Sequence, residues 1–182
     1  MSSYRRHCVF SLLALVLAAM AEGKVVVSVE EALDLAFPGA TTVRETLFLT
    51  DQQVAEAAEL SGFDVPSALV TRYEALDEGG VVVGHAYLDT HRVRTLPETV
   101  MIAVGPEGGV LRVEVVVFRE PIEYVPREGW YRQFDEEKLD DELALKRGIR
   151  PVTGATLTAR ATTEAVRRVL AIHQVVSVGG AQ

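Results

Sequence analysis

Cysteine is nearly absent from this chain: Cys8 is the only one. Everything beyond the extreme N-terminal region therefore lacks the residues for a disulfide framework, a thiolate metal site or a catalytic thiol. Long apolar runs are missing too. The most apolar stretch, Val9 to Ala19, has 11 residues, about half of the roughly 20 needed to span a bilayer as a helix. Positive charge is in short supply, with 18 Lys and Arg against 26 Asp and Glu and a net charge of −8. Such a surface repels phosphate backbones, which excludes nucleic acid as a partner. Histidine is scarce: His85, His91 and His173 stand without ligand-spaced partners and read as surface or edge residues. No H-E-x-x-H occurs and no Ser-His-Asp ordering is compelling, so hydrolytic and zinc-dependent chemistry have no visible machinery.

What the sequence does contain begins with a three-part N-terminal pattern. Arg5, Arg6 and His7 form a basic start, Val9 to Ala19 an apolar centre, and Ala19-Met20-Ala21 a small-x-small ending. This is the layout of a secretory signal peptide, and cleavage after Ala21 is expected. Residues 22–182 then form one domain with a net charge of −10, large enough for a substantial core.

Val29 to Phe37 reads as a short amphipathic helix stopped by Pro38-Gly39, Thr42 to Leu49 as a strand, and Asp51 as the N-cap of a helix running to Leu60. Strand-like segments follow at Ala68 to Leu76, Gly80 to Leu88, Glu98 to Gly105 and Val110 to Phe118. Asp77-Glu78-Gly79-Gly80 and Pro106-Glu107-Gly108-Gly109 separate them with hairpin chemistry. In the last segment Leu111, Val113, Val115 and Val117 alternate with Arg112, Glu114 and Val116, which predicts one buried face. Arg119 to Arg132 reads as a loop, and Asp135 to Arg147 carries Leu139 and Leu143 at helical spacing with an acidic face of Asp135, Glu136, Glu137, Asp140 and Asp141. Leu157 to Gln174 is the clearest helix, with Ala161, Ala165, Val169 and Ile172 on one stripe and Val175 to Gln182 as a frayed tail. The fold class expected is α+β: a single domain with an antiparallel sheet of four or five strands flanked by helices.

Thr153-Gly154-Ala155-Thr156-Leu157-Thr158 joins an irregular segment to the start of that helix. A helix N-terminus presents unpaired N–H groups and the positive end of the helix dipole, which suits a phosphate. Gly154 lets a backbone come close, and the three threonine hydroxyls add donors. Lys146, Arg147, Arg150, Arg160, Arg167 and Arg168 face a single acid, Glu164, between positions 146 and 168, so an anion is the ligand class this region suits. Thr158 is placed to cap the helix, which leaves Thr156 to point outward. The competing reading is an ordinary threonine N-cap with a solvated basic face.

These residues resemble the FMN-binding domain of the flavin-carrying subunits of sodium-pumping NADH:quinone reductase and Rnf electron-transport complexes, and of small exported relatives. TGATLT is similar to that family's attachment signature, in which a flavin transferase joins the FMN phosphate to a threonine hydroxyl. Looser matches are Phe37-Pro38-Gly39-Ala40, the Gly108-Gly109 hairpin, the Glu120-Pro121 loop, and Trp130, Gln133 and Phe134. The resemblance implies covalent FMN on Thr156, with Thr153, Gly154, Ala155, Thr158, Arg150, Arg160 and Glu120 around it and Trp130 near the flavin. It implies an electron-transfer flavoprotein, membrane-associated in the periplasm or on the outer face of the cytoplasmic membrane, serving a redox partner protein or a membrane electron-transport complex. One position departs from the family: the acid three residues before the first hydroxyl is Arg150 here. Two other readings stand beside this one, an exported reductase with non-covalent FMN and a flavin-free binding or assembly module of the same fold.

Overall fold

The computed structural model describes residues 24–179, and the expected signal peptide lies outside the described residues. The architecture is α+β, built on one antiparallel sheet. Its strands are β1 (Lys24–Val25), β2 (Thr41–Phe48), β3 (Leu69–Leu76), β4 (Val82–Arg92), β5 (Pro97–Val104) and β6 (Val110–Phe118), in the order β1-β6-β5-β4-β3-β2. Five long strands form a meander, and the two-residue β1 adds a short edge beside β6. Helix α1 (Val29–Ala36) carries the chain across one face from the β6 edge to the β2 edge. Helices α2 (Asp51–Ser61) and α4 (Thr156–Gly179) cover the opposite face, and the one-turn α3 (Glu128–Tyr131) lies on the β6 side.

Local chemistry fixes the two short helices. Ser28 and Glu31 exchange side-chain and backbone hydrogen bonds in a capping box, and Thr50 and Gln53 do the same for α2. Thr50, not Asp51, is therefore the N-cap of α2. Its glutamine partner three residues on is what selects it, while Asp51 becomes the first helical residue.

The sheet separates two cores. On the α4 side Tyr87, Ile102, Val113 and Phe118 pack against Ala159, Val166 and Leu170. On the α1 side a smaller cluster joins Leu33 and Phe37 to Ala86, Met101 and Val116. Strand β5 lies between both, and Val100 to Val104 have no exposed surface.

The regular alternation expected for β6 does not hold along its length. The register with β5 shifts twice, between Thr99 and Val100 and between Ala103 and Val104, and each shift leaves an extra residue on β6. These bulges, at Leu111 and Val116, turn Leu111 outward to 42% exposure and move Val116 and Val117 to the α1 side.

Asp135 to Arg147 contains no helix. Asp140 Oδ1 accepts from the Glu142 and Leu143 amides, Gly148 N donates to Glu142 O, and Glu136 and Glu137 pair with Val110. Those turn contacts take the groups a helix would use. Helix α4, in contrast, outruns its expected end and stays regular through most of the tail read as frayed.

Candidate functional site

The segment entering α4 is held by two hydrogen bonds to the Arg150 backbone. Trp130 Nε1 donates to Arg150 O at 2.7 Å, and Gln133 Oε1 accepts from Arg150 N at 2.9 Å. Gly154 turns the chain at φ +88°, a left-handed conformation that a Cβ would strain. Ala155 O then accepts from Ala159 N at 2.9 Å and opens the helix, so the amides of Thr156, Leu157 and Thr158 come before the first helical bond.

Thr158 does not cap this helix. Its side chain is fully buried, and Oγ1 donates to Tyr124 O at 2.7 Å. The reason lies in the Glu120-Pro121 corner: the 3₁₀ turn Ile122–Tyr124 that follows brings an otherwise unpaired carbonyl against α4. Thr156 is exposed, and its Oγ1 donates to Val152 O at 3.1 Å.

Thr156 stands on the rim shared by two cavities. The first, about 260 Å³, is walled by Val93, Tyr124, Ala155, Leu157 and Thr158, with Arg94 and Glu120 at its polar end. The second, about 530 Å³, is lined by Lys146, Arg147, Arg160 and Arg167 together with Asp141 and Glu164. Glu120 shapes the first cavity indirectly. Its Oε1 accepts from Thr95 N, Thr95 Oγ1 and Leu96 N, which fixes the turn carrying Val93 and Arg94. Those same backbone amides of Leu96 and Thr95 hold its carboxyl below the usual range.

The basic excess between 146 and 168 is only partly free. Arg147 donates to Asp141 O, Arg167 to the carbonyls of Ser61, Asp140 and Leu143, and Arg168 to Asp89. Among the described residues the side chains of Lys146, Arg150 and Arg160 have no hydrogen-bonding partner, and of these Lys146 and Arg160 line the second cavity. Gly154, Ala155, Thr156, Thr158 and Glu120 thus meet at the first cavity, while Arg160 joins Thr156 at the second. Thr153 is exposed on the approach and lines neither. Arg150 and Trp130 lie apart, in a shallow depression with Gly129, Gln133 and Gly148. Trp130 is buried edge-on against Tyr131 and Phe134, at ring separations of 5.1 and 5.3 Å, and works there as a support for Arg150.

A group absent from the sequence reading lies deeper under α4. Arg168 grips Asp89 with two 2.9 Å bonds; Asp89 Oδ1 also contacts His91 Nδ1 at 2.9 Å, and His91 Nε2 meets Glu98 Oε2 at 3.0 Å. Burial disfavours the imidazolium, but the bonds to Asp89 and Glu98 outweigh it and raise the His91 pKa to about 9. A second buried contact joins Tyr87 Oη to His173 Nδ1 at 2.9 Å. There burial prevails, pushing Tyr87 up to about 12 and His173 down to about 4. His91 and His173 are therefore interior residues, not the surface or edge residues expected. The signal for His91 was the spacing of Asp89, His91 and Glu98 on neighbouring strands, which is meaningful only once the β4–β5 register is known.

Among the described residues no group of three or more His, Cys, Asp or Glu side chains is placed to hold a metal ion. No protein-family model matches this chain and no curated protein matches it, so the family resemblance rests on the residues themselves.

Proposed function

We propose that this chain is an exported flavoprotein module that carries FMN on Thr156 through a phosphoester and passes electrons between partners. The observation that carries the reading is the position of Thr156: an exposed residue in the first turn of a 24-residue helix, lining both an apolar-walled and a basic cavity. A phosphoester there keeps about one negative charge beside the helix N-terminus, where free amides and the helix dipole favour it. Arg160 and Lys146, which line the basic cavity with Thr156 and have no hydrogen-bonding partner among the described residues, are available for charge-assisted hydrogen bonds. Val93, Tyr124 and Leu157 offer a planar ring system apolar walls, and Gly154 adds open space because nothing lies within 4 Å of where its Cβ would stand.

FMN, when bound, supplies one- and two-electron transfer, and the protein contributes binding and orientation. Neither cavity is lined by histidine or cysteine, and the one acid of the apolar cavity, Glu120, is committed to backbone amides. Maturation on this reading needs a flavin transferase, and turnover a redox partner protein or membrane electron-transport complex at the outer face of the cytoplasmic membrane. No helix among the described residues is long and apolar enough to cross a membrane.

Co-expression with a flavin transferase tests the proposal. A yellow protein that keeps its flavin through denaturation, and a Thr156→Ala variant that does not, are expected. Complete release of FMN from the wild type on denaturation replaces this reading with a non-covalent reductase, and a colourless protein replaces it with a flavin-free module.

A further inference from the structure

The β3–β4 ladder ends before its neighbours do. It runs from Leu76 opposite Val82 to Thr71 opposite Leu88 and stops. Beyond that point β2 stays with β3 as far as Leu69, and β5 stays with β4 as far as Arg92. Continuing the register would set Val70 opposite Asp89 and Leu69 opposite Thr90, and neither pair forms. The sheet therefore forks, with β2–β3 on one prong and β4–β5 on the other. Strand backbone groups point alternately to the two neighbours, so part of each facing edge has no ladder partner.

The fork encloses a cavity of about 320 Å³, at the lower end of the range for small-molecule sites. Val65 and Leu88 form its sides, Val169 and Ile172 of α4 cover it, and the Asp89–Arg168 pair supplies its charge. Arg168 has a side chain only 8% exposed, with Nε and Nη2 committed to Asp89. Its Nη1 has no hydrogen-bonding partner among the described residues and keeps some accessible surface, so an acceptor entering the cavity can reach it. The surroundings are electrically balanced: Arg168 and protonated His91 offset Asp89 and Glu98. An anion gains little there, whereas an uncharged acceptor satisfies Nη1 without upsetting the balance.

We infer that the fork is a binding site for a small, uncharged, mainly apolar molecule bearing a carbonyl oxygen, which accepts from Arg168 and packs beneath Val169 and Ile172. Twelve residues of helix separate Arg168 from Thr156, about 18 Å along the axis, so this site is independent of anything carried on Thr156.

Amide correlation spectra of the flavin-free chain titrated with benzophenone test it. Saturable shifts are expected in residues 65–70, 88–91 and 168–172 and in the Arg168 Nε–H resonance. Diphenylmethane, the same shape without the carbonyl, should bind about fivefold more weakly, as for the loss of one hydrogen bond. Leu69→Trp, at a position 57% exposed and so tolerant of bulk, should block the fork and remove the shifts; Pro66→Trp on the exposed loop is an independent block. Absence of saturation, shifts clustered around Thr156, or shifts that survive both blocked variants overturns the site. Equal affinity for the two probes overturns the role of Arg168.

Discussion

Deprotonating His91 should loosen the whole domain, and the effect can be sized. The imidazole sits between Asp89 and Glu98 under α4, with its pKa raised to about 9 from about 6.5 in an unfolded chain. A raised folded-state value means that the native protein holds its proton more tightly. This stability is fully present below about pH 6.5 and is lost as pH rises through about 9. Between pH 7 and pH 9.5 the loss comes to about 2 kcal/mol at roughly 1.4 kcal/mol per pKa unit. The window avoids His173, whose value of about 4 gives a slope of opposite sign below pH 6.5, and Tyr87, which titrates near 12. Urea melts followed by far-UV circular dichroism should show the midpoint falling by about 1 M across the window, for a slope near 2 kcal/mol per molar. His91→Gln should start with a lower midpoint at pH 7 and stay nearly flat. A wild-type midpoint constant from pH 7 to 9.5, or a glutamine variant with the wild-type slope, refutes the reasoning.

Other substitutions test the scaffold around Thr156. Trp130→Phe removes the donor to Arg150 O while keeping the packing on Tyr131 and Phe134; it should cost about 1 to 2 kcal/mol in thermal unfolding without loss of fold. Gly154→Ala forces a side chain into φ +88° although nothing blocks it sterically, and should cost about 1 to 2 kcal/mol, with Gly154→Asn milder. Thr158→Val leaves Tyr124 O without its donor in a buried place, so a loss of about 1 to 3 kcal/mol is expected while flavin attachment persists.

The strands and the long helix were legible because their apolar periods are long and their boundaries carry turn chemistry. Asp77-Glu78-Gly79-Gly80 is an example: Asp77 Oδ1 accepts from Gly79 and Val81 at 2.8 Å, an interaction its sequence announces. The β6 bulges were not legible, since a run of valines serves either face and only the register with β5 chooses between them. Leu139 and Leu143 mimicked a helix, yet Asp140 prefers the turn and the segment is tied to Val110 by contacts distant in sequence. At the site, the meeting of Gly154, Thr156 and the long helix was readable from local order. The placement of Thr158 was not, because its partner, Tyr124, is 34 residues away. Arg168 likewise read as one of the basic residues suited to an anion, and its burial depends on Asp89 arriving from β4.

Thr156 as the carrier of FMN is the central claim, and peptide mass mapping addresses it directly. Trypsin acting on denatured protein co-expressed with a flavin transferase should release the segment from Gly148 to Arg160, since Pro151 protects the bond after Arg150. This peptide should be heavier by FMN less one water, with fragmentation placing the added mass on Thr156, and should lack the FMN increment in Thr156→Ala. The same peptide at its unmodified mass from flavin-loaded wild type, or added mass on Thr153 or Thr158, contradicts the claim.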